Sequence, residues 1–159
     1  MDGLRFFWIF LCFLLSFWGG LPLAAFFTLW ADYFLLFTEH YAAGLVFFLL
    51  VQTAYLQNLR GRPFPLWAVG LFPLGLCLPL PLLGIGYGLL FCFHIKEARK
   101  KVPSGFLPKL YLLGLILFAL CDITVAWGYF HRPNPGLIWL FYAPSQLLLA
   151  VTARFIPIR

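Results

Sequence analysis

Two carboxyl groups, Asp32 and Asp122, sit inside long apolar stretches of this chain. An Asp at mid-membrane costs at least ~2.5–3.5 kcal/mol on insertion scales, so such a residue usually faces a bundle interior or a wet cavity. Two enclosed carboxyls are raw material for acid catalysis, because one can hold a proton while the other carries a stabilising charge. Glu39 follows Asp32 by two helical turns on the same face, roughly 10 Å along, and Thr28 continues the line one turn earlier. Other polar groups also share helical faces. Gln52 and Tyr55 form one such set, and Tyr142, Ser145 and Gln146 another, at i, i+3 and i+4 spacing. Their plain use is hydrogen bonding to neighbouring helices, at typically ~0.6 kcal/mol each.

The composition says what must position these groups. The chain has 159 residues, 64% of them hydrophobic and only 10% charged. A soluble domain carries about 25% charged residues. This polar deficit cannot cover a globule with a wettable surface, but it can cover one that faces lipid. The 20 Phe residues are spread along apolar runs, and no soluble domain stands apart from them. The net charge of +6 comes from basic residues at the ends of those runs, which is a membrane-orientation pattern and not a nucleic-acid footprint. Cys12, Cys77, Cys92 and Cys121 all lie in apolar stretches without a CxxC pair, so they read as buried small hydrophobes and not as disulfide or zinc ligands.

Loop signals divide the chain into seven helices, at about 4–18, 21–37, 41–59, 64–82, 84–99, 107–130 and 135–154. The fold class is an all-α, polytopic transmembrane bundle forming a single domain. The fourth helix is rich in Pro and Gly and should kink. Residues 4–37 are too long for one crossing and slightly short for two, which leaves a six-helix count open beside the seven. Residues 6–18 resemble the apolar part of a signal peptide, but Asp2 stands where positive charge belongs, so this stretch reads as a retained helix.

Arg60 and Arg62 follow the third helix. Lys96, Arg99, Lys100, Lys101 and Lys109 lie between the fifth and sixth, and Arg154 and Arg159 follow the seventh. A pair of helices separates each group from the next, so all fall on one side. The positive-inside rule makes that side cytoplasmic, in the plasma membrane of the cell. The Lys96–Lys101 run is placed to meet anionic lipid headgroups.

The two Asp-bearing regions also resemble each other. Ala31–Gln52 and Cys121–Gln146 both run Asp, helix end, loop, Gly-Leu, apolar turns and Gln. That is a candidate parallel two-helix repeat, a device that often frames a midplane site.

At these residues the chain resembles the lysoplasmalogenase (YhhN-like) family of multi-pass membrane proteins. The matching segments are Phe27–Tyr55, with Asp32, Gly44, Gln52 and Tyr55, and Leu117–Ala150, with Asp122, Tyr142 and Gln146. The chain departs from the family pattern at Ala31, Cys121 and Gln52, where Gly, Ser and His are usual. The resemblance implies cleavage of the vinyl-ether bond of a lysoplasmalogen, a single-chain lysophospholipid, without a cofactor or metal. Such cleavage begins with protonation of the alkenyl carbon, so it needs an acid that still holds its proton and a negative group beside the resulting cation. Asp32 and Asp122 are the candidate catalytic pair. Gln52, Tyr55, Tyr142 and Gln146 are candidates for binding the polar headgroup or the water.

Two other readings compete. The departures at Ala31, Cys121 and Gln52 suit a divergent, non-catalytic member that binds lipid. The repeat and the intramembrane acids suit a small proton-coupled transporter. Several further features read plainly. His94, near Lys96 and Glu97, reads as a solvated interfacial histidine, and Glu39-His40 as an outer-interface pair. Gly84, Gly86 and Gly88 follow no strand and read as positions of close helix packing. Trp18, Trp30, Trp67, Trp127 and Trp139 fall mostly near span ends, as anchors should.

Overall fold

In the computed structural model, which describes residues 2–70, 72–132 and 134–156, the chain is helical almost throughout, with no strand among the described residues. The helices are α1 (Asp2–Gly19), α2 (Pro22–Phe37), α3 (Tyr41–Leu59), α4 (Trp67–Gly70), α5 (Phe72–Leu76), α6 (Leu80–Lys101), α7 (Phe106–Phe130) and α8 (Pro135–Thr152), followed by a 3-10 turn over Ala153–Phe155. With α4 and α5 counted together, seven helical segments are present among the described residues. Four stretches are long and apolar enough to cross a membrane: Asp2–Gly19, Tyr41–Leu59, Phe106–Phe130 and Pro135–Phe155. The outer surface suits lipid, with Phe7, Leu14, Phe17, Leu89, Ile116 and Ile123 all exposed.

Local chemistry sets the boundaries. Residues 4–37 resolve into two helices because Gly20 takes a left-handed φ of 82° and Pro22 opens the next helix with its φ already fixed. α3 ends at Arg60, and Gly61 turns the chain with φ 62°. The Asn134 side chain accepts from the Leu137 N–H and caps α8, which then begins with Pro135. Of the single helix expected over 64–82, only Trp67–Gly70, Phe72–Leu76 and the first residues of α6 are helical among the described residues. Pro63, Pro65, Pro73 and Pro79 remove donors along this stretch, so no long helix forms. α6 correspondingly starts at Leu80, four residues before its expected start at 84, with Pro81 in its first turn.

Pair contacts fix the helix directions. Lys101 Nζ donates to the Leu59 carbonyl at 2.9 Å, so the C-terminal ends of α3 and α6 meet and the two helices run parallel. The connection between them must therefore travel back along the bundle. It does so against the outside of α2 and α3: Phe64 packs on Phe27 of α2, Phe72 on Phe47 of α3, and Gly75 lies against Val46, nearer the start of α3. The six longer helices close a ring in the order α1, α2, α3, α6, α7, α8 and back to α1, with the thinnest seam between α6 and α7. Within the ring, α2 runs parallel to α7 and α3 to α8, the directions that a parallel two-helix repeat requires.

This arrangement gathers Arg60, Arg62, Lys96, Arg99, Lys100, Lys101, Lys109 and Arg154 at one end of the bundle. Glu39, His40, His131 and Arg132 stand at the other. Arg159 lies outside the described residues. Trp18, Trp67 and Trp127 are exposed near helix ends, whereas Trp30 sits mid-helix in α2.

Two plain readings need correction. Gly84, Gly86 and Gly88 do not permit close packing, because a Cβ at any of them would meet only open space. The close approach is at Gly19, where a Cβ would collide with the Ala150 carbonyl, so glycine is what lets α1 touch α8. Only two cysteines, Cys12 and Cys121, are buried. Cys77 and Cys92 are exposed on the apolar surface.

Candidate functional site

The inward faces of the ring carry the polar groups. On α6, Leu83, Tyr87, Phe91, His94 and Ala98 recur at helical spacing and all are buried. On α7, Tyr111, Leu115, Phe118 and Cys121 form the matching face. Phe118 packs edge-on against both Phe48 and Tyr142, so an aromatic layer fills the centre of the bundle. The polar groups bond around this layer.

Asp32 is buried, with 5% of its surface exposed, and its Oδ2 accepts from the Tyr142 hydroxyl at 2.5 Å. Asp122 is only partly buried. Its Oδ2 accepts from the Tyr87 hydroxyl at 2.7 Å, across the thin seam between α6 and α7. Each carboxyl thus has its own tyrosine from another helix, and among the described residues no hydrogen bond joins the two carboxyls. A hydroxyl donated to a carboxyl oxygen offsets part of the cost of enclosing that group.

A second network lies toward the basic end. His94 is fully buried, with Nδ1 2.7 Å from Gln52 Oε1 and Nε2 2.9 Å from the Tyr111 hydroxyl. An amide oxygen can only accept, so Nδ1 carries the hydrogen in this arrangement and Nε2 accepts from Tyr111. Tyr55 stacks on the His94 ring with centroids 5.3 Å apart. The expectation that His94 is a solvated interfacial residue is therefore wrong. Lys96 and Glu97 suggested an exposed turn, but His94 lies on the opposite, inward face of α6.

Gln52 also adjoins Tyr87. Its Nε2 is buried without a hydrogen-bond partner, and so is Nε2 of Gln146. Unmet buried donors are uncommon. Gln146, Thr28, Tyr55 and Cys12 line a small cavity of about 10 Å³, room for about one water. Thr28 lies one turn from Asp32 on α2, and Gln146 one turn from Tyr142 on α8. The cavity is therefore about one helical turn, roughly 6 Å, from the Asp32–Tyr142 bond.

All six candidate residues from the sequence are in the interior, but not around one point. Asp32 and Tyr142 bond directly, Gln146 and Tyr55 line the adjoining cavity, Gln52 belongs to the histidine network, and Asp122 faces the α6–α7 seam. Glu39 is exposed beyond the end of α2. Sequence reasoning missed Tyr87, His94 and Tyr111. The signal was present in the helical spacing of Tyr87, Phe91 and His94 on α6, whose polar members share one face. No group of three or more His, Cys, Asp or Glu residues suited to a metal ion occurs among the described residues.

No protein-family model, curated protein or solved structure matches this chain.

Proposed function

We propose that the chain is an integral membrane lipid hydrolase that cleaves the vinyl-ether bond of a lysoplasmalogen, as the resemblance of its Asp-bearing segments to the lysoplasmalogenase family implies. The supporting observation is the enclosed Asp32 carboxyl, fixed by Tyr142 and placed one turn from a small cavity with an unmet amide donor on its wall. In this reading Asp32 gives its proton to the alkenyl carbon next to the one bearing oxygen. The double bond shifts to form an oxocarbenium ion, which a carboxylate, Asp122 in this assignment, stabilises electrostatically. Water adds to the cationic carbon and returns a proton to Asp32. The hemiacetal then collapses to a fatty aldehyde and the free glycerol hydroxyl, so one water is consumed and the carboxyl is regenerated.

The direct test is fatty-aldehyde release from a lysoplasmalogen by the purified protein in detergent. Release that is lost in both Asp32→Asn and Asp122→Asn is the expected result. A folded parent that releases no aldehyde rejects the hydrolase reading. The alternative reading is a proton-coupled transporter, favoured by the polar file Asp122–Tyr87 and Gln52–His94–Tyr111, which runs toward the basic end. It predicts no aldehyde and a substrate flux that follows an imposed pH gradient. In either reading the basic end is cytoplasmic and meets anionic headgroups of the plasma membrane.

A further inference from the structure

The seam between α1 and α8 is pinned at both ends and open in the middle. At the basic end Gly19 rests on the Ala150 carbonyl. At the other, Trp8 Nε1 donates to the Ala143 carbonyl at 3.2 Å. Between these clamps α1 runs 11 residues, roughly 16 Å at 1.5 Å per residue, over a lipid-facing groove of about 400 Å³. Its walls are almost wholly apolar, with Leu11, Leu14, Leu15 and Leu147 between Trp8 and Trp18. Cys12 lines both this groove and the small cavity behind it. Beyond Cys12 lies the Gln146 amide, whose Nε2 is buried, without a partner, and on the cavity wall.

From these clamps, this shared wall and this unmet donor, we infer that the α1–α8 groove is a binding site for the hydrocarbon chain of a single-chain membrane lipid, whose oxygen near the headgroup reaches past Cys12 to accept from Gln146. The direction of the chain follows from the levels of the residues. Trp8 stands level with Ala143, next to Tyr142 and hence to Asp32. Trp18 stands at the basic end. With its oxygen on the Asp32–Tyr142 side, as the hydrolase reading requires, the lipid's tail runs toward the basic end. A groove of about 400 Å³ along roughly 16 Å has a cross-section of roughly 25 Å², room for one hydrocarbon chain and not for two. The inference extends the hydrolase reading by naming the seat of the substrate's tail. Its test reads binding, so the two can fail separately.

The probe is a lysophosphatidylcholine with a diazirine in its chain, photolysed with the full chain in phosphatidylcholine vesicles and mapped by peptide mass spectrometry. Adducts should concentrate on Leu11, Leu14, Leu15 and Leu147, and excess unlabelled lysophosphatidylcholine should remove them several-fold. Adducts at Ile116 and Ile123, on the lipid-facing side of α7, should resist that competition. Leu147→Trp fills the groove and should abolish the competed adducts. Gln146→Leu should raise the competing concentration by about tenfold, the worth of one buried hydrogen bond. Adducts spread equally over α1 and α7 and indifferent to competitor in the unmodified protein would overturn the site, whether or not aldehyde is released. Competed adducts without aldehyde release would leave the chain site standing and reject only the hydrolase.

Discussion

The Tyr142 hydroxyl bonds to Asp32 Oδ2 at 2.5 Å, tying α8 to α2 across 110 positions of sequence. This bond holds the most enclosed carboxyl of the bundle in one orientation. Tyr142→Phe should therefore lower stability in detergent by about 1–2 kcal/mol, near the upper end for a membrane hydrogen bond. If the hydrolase reading holds, aldehyde release should fall by about tenfold as Asp32 loses its fixed geometry. A variant as stable and as active as the parent would show that the bond does neither.

The histidine network makes a coupling prediction. His94→Leu leaves Gln52 Oε1 and the Tyr111 hydroxyl without their shared partner, and should cost about 2–4 kcal/mol. Gln52→Leu on the same background removes one of the stranded groups, so the double variant should lose less than the sum of the two single losses. Strict additivity in the double-mutant cycle would mean that the 2.7 Å contact carries no energy of its own.

Two glycines should respond with opposite signs. Gly19→Ala drives a methyl into the Ala150 carbonyl and should cost about 1–3 kcal/mol, read as a lower midpoint of unfolding. Gly84→Ala places its methyl in open space within a helix and should raise stability by up to ~1 kcal/mol. A loss at Gly84 as large as at Gly19 would contradict the packing.

The parallel course of α3 and α6 is testable by labelling from either side of the membrane. In a cysteine-free background, Arg62→Cys and Lys100→Cys should react with an impermeant maleimide from the same side, and His40→Cys and His131→Cys from the other. With the basic end cytoplasmic, as proposed above, the second pair should label first in intact cells. Reaction of Arg62→Cys and Lys100→Cys from opposite sides would break the arrangement that the Lys101–Leu59 bond defines.

The class of fold was legible in the sequence because hydropathy acts residue by residue. A chain 64% hydrophobic and 10% charged has no other way to satisfy its surface, and Gly20, Gly61 and Pro22 mark boundaries through their own backbone limits. Asp32, Gln52, Tyr142 and Gln146 were legible as interior groups for the same reason, since a polar side chain in an apolar helix must turn inward. What the sequence could not supply was partnership. That Tyr142 serves Asp32, that Tyr87 serves Asp122, and that His94 turns away from Lys96 to meet Gln52 and Tyr111 all depend on which helices adjoin and at what height. Those relations are long-range. They follow from the ring order, from the return of the stretch carrying Phe64, Phe72 and Gly75 along the bundle, and from the approach of α1 to α8 at Gly19. None of these is a property of any single segment, so only the tertiary structure could decide them.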